Sequence, residues 1–111
     1  MKASITYIQL KGPLKFFALS LQAMRIIKQL KSANSKAFKK KGVWTKHYTM
    51  TLWESEEDMV AFARSGAHLN AMKESAKLAK EIRTVTIDAE QLPTWKVAHE
   101  LLADAKPIRY Q

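Results

Sequence analysis

Three imidazoles and one guanidinium are the side chains of this 111-residue chain best suited to moving protons. His68 follows Gly66 in a helical stretch, one turn from both Arg64 and Met72. A neutral imidazole near pH 7 serves as a general base, and a nearby Arg stabilises the oxyanion that deprotonation leaves. His68 and Arg64 are therefore the candidate catalytic pair. The plainer reading of His68 is an imidazole hydrogen-bonded to a neighbouring backbone group or hydroxyl within helix packing. His47 alternates with Thr49, Thr51 and Trp53 on one side of a strand, a row suited to a partly polar cavity. A solvent-exposed histidine at a strand end reads equally well. His99 has only Glu100 beside it and no third partner at the spacing of a triad or metal site, so it receives no role. No pair of histidines or carboxylates has ligand spacing apart from Glu56-Glu57-Asp58, and no metal is expected. The chain has no cysteine, which removes thiol nucleophiles, thiolate sites and disulfides together.

Flat apolar walls are available as well. Trp44, Trp53 and Trp95, with Phe16, Phe17 and Phe62, would suit an aromatic ligand, although core packing accounts for most of them. The methionines at 24, 50, 59 and 72 read first as core fillers.

These side chains need elements to hold them. Ala3 to Leu10, rich in β-branched and aromatic residues, predicts a strand that Lys11-Gly12-Pro13 ends. From Leu14 to Lys31, Phe17, Leu21, Met24 and Ile27 recur at three and four, with Phe16, Leu19, Ala23 and Leu30 beside them, and predict an amphipathic helix. Ser32 to Gly42 reads as a turn or a frayed helical extension. Val43 to Trp53 alternates strictly and predicts the strongest strand, with Tyr48, Met50 and Leu52 on its apolar face. Ser55 with Glu56, Glu57 and Asp58 starts a second helix, extending to about Lys80 along Met59, Phe62, Ala63, Leu69, Met72 and Ala76, with a kink or close approach at Ser65-Gly66. Arg83 to Asp88 is a further strand with a threonine face. Thr94 caps a short helix to Ala103, and Ile108-Arg109-Tyr110 forms a terminal strand. The order gives one α+β domain over residues 1–111, an antiparallel sheet with both main helices on one face.

Charge is divided sharply along the chain. The net charge is +9, yet Met1 to Trp53 holds 11 basic residues and no acid, while the remainder holds 8 basic and 10 acidic residues. Chance would leave the first 53 positions free of acids only roughly once in a thousand placements, so the division needs a cause. Part of it is the acid-rich cap at residues 54–58; what remains is a lysine surface between residues 28 and 46. Leu14 to Leu30 is interrupted by Lys15, Gln22, Arg25, Lys28 and Gln29, short of the roughly 20 apolar residues a span requires. No membrane partner is expected, and a cytoplasmic location is the default.

The run Thr49-Met50-Thr51-Leu52-Trp53-Glu54-Ser55-Glu56-Glu57-Asp58-Met59, continued by Phe62, Ser65-Gly66-Ala67-His68 and Ala71-Met72, resembles the dimeric α/β-barrel superfamily, typified by antibiotic-biosynthesis-type monooxygenases. The stretch around His68 is more similar to a small bacterial branch related to spheroidene monooxygenase. The resemblance covers about a third of the chain. It implies a ferredoxin-like protomer that pairs as a homodimer through its sheet, with a ligand cavity between helices and sheet. In that arrangement His47, Thr49, Thr51, Trp53, Phe62 and Met72 line the pocket around His68 and Arg64. Haem-degrading relatives place an aromatic and a histidine nine and nineteen residues after the strand-end Trp, where this chain has Phe62 and Met72. The chain departs from that set, and the cofactor is left open between none and haem.

The leading expectation is a monooxygenase-like protein acting on or binding a small hydrophobic ligand, with an anionic group compatible with the lysines. A non-catalytic or stress-associated ligand-binding protein of the same fold is the alternative. A basic nucleic-acid-binding module is the weakest reading, because the sheet lacks the Gly-aromatic signature of RNA-recognition strands.

Overall fold

The computed structural model describes residues 1–31, 35–64, 66, 72–74 and 77–109. The elements are β1 (Lys2–Leu10), α1 (Lys15–Lys31), β2 (Ser35–Val43), β3 (Lys46–Trp53), α2 (Glu56–Ala63), β4 (Ala79–Asp88), α3 (Trp95–Ala103) and β5 (Ile108–Arg109). They form one antiparallel sheet in the order β2-β3-β1-β4-β5. The first four strands, with α1 and α2 as crossovers, have the ferredoxin-like topology.

Register sorts the side chains into two faces. Ser4 pairs with Thr51 and Thr86, and Thr6 with Thr49 and Thr84, so one face carries a field of hydroxyls across three strands. The intervening residues put Ile5, Tyr7 and Met50 on the opposite face, where they are buried against Ala98 and Leu102 of α3, with Tyr48, Val85, Ile87 and Trp95 around them. The helix α3 is capped by Thr94, whose hydroxyl accepts the Val97 N–H, and is closed by Arg83, which donates to the Leu102 and Ala103 carbonyls at 3.2 and 3.1 Å.

Both α1 and α2 lie on one face, as expected, but it is the hydroxyl face, whose threonines read as unsuited to dry helix packing, and they seal it only at one end. There Leu30, Trp53 and Phe62 form a second core, with Ile26, Phe38 and Met59. Thr49, Thr84 and Thr86 remain exposed. The start of α2 follows the sequence pattern, with Ser55 Oγ accepting the Asp58 N–H at 3.2 Å and three acids in the first turn.

Four expectations are corrected. Residues 35–43 form an edge strand, not a turn or a helical extension, because backbone pairing with β3 supplies what their weak β propensity does not. The lysines that obscured the strand suit an edge, where charge discourages pairing with another chain. The strand expected from Val43 to Trp53 is broken at Trp44 and Thr45, which make the hairpin turn, with Trp44 at φ 57°. The expected second helix is interrupted where α2 ends at Ala63, beside the predicted kink, and residues 66, 72–74 and 77–78 are again helical; β4 starts at Ala79, ahead of the expected Arg83, because β1 pairs with it as far as Leu10. On α1, Phe17, Leu21 and Met24 face outward, 73, 51 and 69% exposed, while Leu30 turns inward and is buried. The expected irregularity at Gly66 is present: φ is +58°, and a Cβ there would stand 3.1 Å from the Gln29 side chain. His68, Leu69, Ala71 and Ala76 lie outside the described residues.

Candidate functional site

Where the hydroxyl face reaches the β2–β3 hairpin, α1 stands off the sheet and leaves a cavity of about 350 Å³. Phe16, Leu19, Ala23, Met24 and Ile27 of α1 form its apolar wall, with Ser20 between them. Lys40, Gly42, Trp44 and His47 close it from the hairpin. Gly42 and His47 are paired across the two strands, and a Cβ on residue 42 would lie 2.6 Å from His47 Nδ1. Only glycine lets the imidazole lie over the neighbouring strand. Phe16 stacks on the imidazole, with centroids 5.7 Å apart and planes inclined by 29°.

The electrostatics of His47 follow from this packing. Its Nε2 is buried and has no hydrogen-bond partner. Burial disfavours the imidazolium and pushes the pKa below the ordinary histidine value, while a hydrogen bond with the Trp44 backbone works in the other direction. The ring is therefore neutral at pH 7, a base held in an apolar wall. Lys40 is the cation among the described lining residues.

The structure distributes the expected site residues over two places. His47 lines the cavity, whereas Trp53, six residues along β3 and so about 20 Å away, belongs to the core beneath α2. Trp53 is 1% exposed, its indole N–H donates to Thr51 Oγ1 at 3.0 Å, and its ring lies 5.1 Å from that of Phe62. Thr51 and Thr49 fall between the two places on the hydroxyl face. Arg64 caps the C-terminus of α2 and is exposed, as is Met72. His68 lies outside the described residues. Phe16 and Trp44, two of the aromatics noted in the sequence, do line the cavity, but Lys40 and Gly42 had no signal in the sequence, since they fall where a turn or helical extension was expected.

Haem does not fit the described residues. Phe62, at the position of the haem-degrading aromatic, is packed against the buried Trp53 with ring centroids 5.1 Å apart, and Met72 stands where those relatives carry histidine. Among the described residues no three His, Cys, Asp or Glu side chains gather as a metal site.

A shallow second depression lies on the α3 face, between Tyr7, Tyr48, Glu81, Arg83 and His99. Its charges are engaged in structure. Glu81 binds both Arg83 and Arg109 at 3.1 Å, which hold its carboxyl below the ordinary value, and His99 stacks flat on Tyr48 at 4.6 Å.

The fold has solved counterparts. Rv0793 from Mycobacterium tuberculosis superposes with a TM-score of 0.70 at 12% identity, over 84% of this chain and 98% of that one. A protein described as an antibiotic biosynthesis monooxygenase gives 0.70 at 12%, over 84% and 100%. SnoaB from Streptomyces nogalater, described as a cofactor-independent oxygenase, gives 0.61 at 10%, over 82% and 94%. No protein-family model and no curated sequence matches the chain. The chain thus has the ferredoxin-like fold of the antibiotic biosynthesis monooxygenases, and at these identities the likeness concerns the fold.

Proposed function

We propose that this chain is a monooxygenase-like protein that binds a flat hydrophobic molecule, such as a fused-ring phenol, between α1 and the β2–β3 hairpin and oxygenates it without a resident cofactor. The observation that carries the reading is the neutral, unpartnered His47 Nε2 in the wall of an apolar cavity that also holds Lys40. The description of SnoaB as a cofactor-independent oxygenase supports it.

In this mechanism the apolar wall desolvates the phenol, and His47 Nε2 accepts its proton once a small shift of the ring brings the atom to the ligand. The Lys40 ammonium stabilises the phenolate. The phenolate supplies all four electrons that reduce dioxygen, two as the ring carbon forms its C–O bond to dioxygen and two as the O–O bond breaks with loss of the C–H proton: the ring C–H becomes C=O, one oxygen atom enters the product, and the other leaves as water, so that phenol plus O₂ gives quinone plus water. Arg64 and His68 belong to the second candidate set, with His68 as the competing base. A second copy pairs through the sheet to make the homodimer that the family resemblance implies.

The test is oxygen uptake and quinone formation with a naphthol panel. His47→Ala is expected to slow turnover by about 10²–10⁴, with binding retained in thermal-shift measurements. Full activity in His47→Ala together with loss in His68→Ala moves the base to His68. Saturable binding of a naphthol with no oxygen uptake by the wild type identifies a non-catalytic binding protein and refutes the oxygenase assignment.

A further inference from the structure

The outward stripe of α1, which meets the cavity only at Met24, is the strongest feature that the proposed reaction does not use. Leu14, Phe17, Leu21 and Met24 follow one another at three and four, and they are 80, 73, 51 and 69% exposed. A soluble domain rarely leaves such a stripe bare unless something covers it. Next to it, across the mouth of the cavity that Met24 and Trp44 share, Trp44 projects from the hairpin turn. Its indole is 77% exposed on a backbone at φ 57°, a conformation that bulky residues rarely adopt. Helix and turn therefore present apolar and aromatic side chains outward together.

Charge identifies the occupant. The sheet edge beneath this part of α1 is β2, whose exposed Lys40, opposite Thr49, lies on the α1 side; Lys39 and Lys41, opposite Met50 and Tyr48, lie on the other side, and Lys36 pairs with Glu54 at 3.5 Å. Arg25 and Lys28 continue the helix stripe, and Lys46 follows the turn; each is exposed. The segment that builds the whole surface, residues 1–53, contains no acid. A second copy docking here through a two-fold axis would bring lysines against lysines. An apolar helix stripe with a tryptophan and a rim of cations instead matches an interfacial helix lying on anionic lipid.

We infer that this protein docks on anionic membrane surfaces through the outer stripe of α1, Trp44 and the neighbouring cations Arg25, Lys28 and Lys40. The expectation of no membrane partner rested on the lack of a span, and among the described residues no helix is long and apolar enough to cross; docking on the surface departs from that expectation. The same interruptions that prevent a span place Arg25 and Lys28 beside the apolar stripe, which a surface-bound helix requires. Docking in this orientation also sets the cavity mouth, between Met24 and Trp44, against the bilayer, so a hydrophobic ligand would enter from lipid without crossing water.

The experiment is co-sedimentation of the full chain with phosphatidylcholine vesicles containing a third phosphatidylserine, beside pure phosphatidylcholine vesicles. Binding is expected on the anionic vesicles alone, with a blue shift of tryptophan emission that Trp44→Phe diminishes and a steep loss with added salt. Arg25→Gln with Lys28→Gln removes two charges beside the stripe and is expected to weaken binding about 25-fold, at about fivefold per cation near the surface. Phe17→Ser with Leu21→Ser is expected to weaken it about a hundredfold. Neither pair lines the cavity, so naphthol binding in detergent-free buffer serves as the check that the variants are folded and keeps this test separate from that of the oxygenase reading. No sedimentation of the wild type at low salt overturns the inference, as does equal binding to neutral vesicles. A Phe17→Ser/Leu21→Ser protein that keeps wild-type lipid binding, or that changes from dimer to monomer while the wild type ignores lipid, overturns it as well, the latter assigning the stripe to a second copy.

Discussion

Substituting Gly42 with alanine gives the sharpest physical test of the cavity. The added Cβ would lie 2.6 Å from His47 Nδ1 and 2.9 Å from Cε1, against the 3.4 Å or more of an ordinary contact. The imidazole must therefore retreat by close to an ångström. It cannot do so freely, because Phe16 is stacked on the ring. Overpacking of this kind costs about 1–3 kcal/mol. The glycine has no left-handed backbone that alanine would strain, and in a strand alanine is otherwise favoured over glycine by about 0.5–1 kcal/mol. The sign of the substitution thus depends on the partner. In the wild type Gly42→Ala should destabilise by the overpacking cost less the alanine gain, about 0.5–2 kcal/mol, whereas in a His47→Ala background it should stabilise by about 0.5–1 kcal/mol. A double-mutant cycle in urea reads the difference as a coupling of about 1–3 kcal/mol. Equal effects of Gly42→Ala in the two backgrounds would mean that the imidazole does not rest over residue 42, and the reasoning about the cavity wall would fail with it.

Two further outcomes follow from the same packing. Burial depresses the pKa of His47 in the folded protein, so the unfolded chain binds the proton more readily; stability should be full above the ordinary histidine value of about 6.5 and decline as pH falls below it. Unfolding free energies measured between pH 8 and pH 5 should show this decline and lose that part of it in His47→Ala; an identical decline in the variant would contradict the assignment. Thr51→Val keeps the shape of residue 51 but leaves the buried Trp53 N–H without its acceptor, which should cost about 1–3 kcal/mol in denaturant unfolding; a neutral result would show that the indole finds another acceptor.

The hydroxyl face was legible because strand periodicity is local: Thr49, Thr51 and Trp53 must share a side wherever the strand lies. The cavity was not legible, for three reasons of packing. Lysine and glycine at 39–42 have no intrinsic pull toward a strand, so only pairing with β3 places Lys40 and Gly42 beside His47. Apolar residues surround much of α1, and its periodicity could not decide between the Phe16–Ala23–Leu30 side and the Phe17–Leu21–Met24 side. Trp53 and Phe62 carried the family resemblance, yet their fully buried packing makes them a core of the same face, away from the cavity.

The sequence by itself determined the alternation that divides the sheet into a hydroxyl face and an apolar face, the caps at Ser55 and Thr94, and the removal of every acid from residues 1–53. These are local properties, fixed by side-chain period, by hydrogen bonds within one helical turn and by composition. The tertiary structure alone decided that a lysine-rich segment becomes the edge strand, that His47 fits over Gly42 under Phe16, and that the other stripe of α1 faces outward. Those outcomes depend on contacts between residues far apart in the chain, and no local propensity encodes which of two apolar helix faces the sheet will cover.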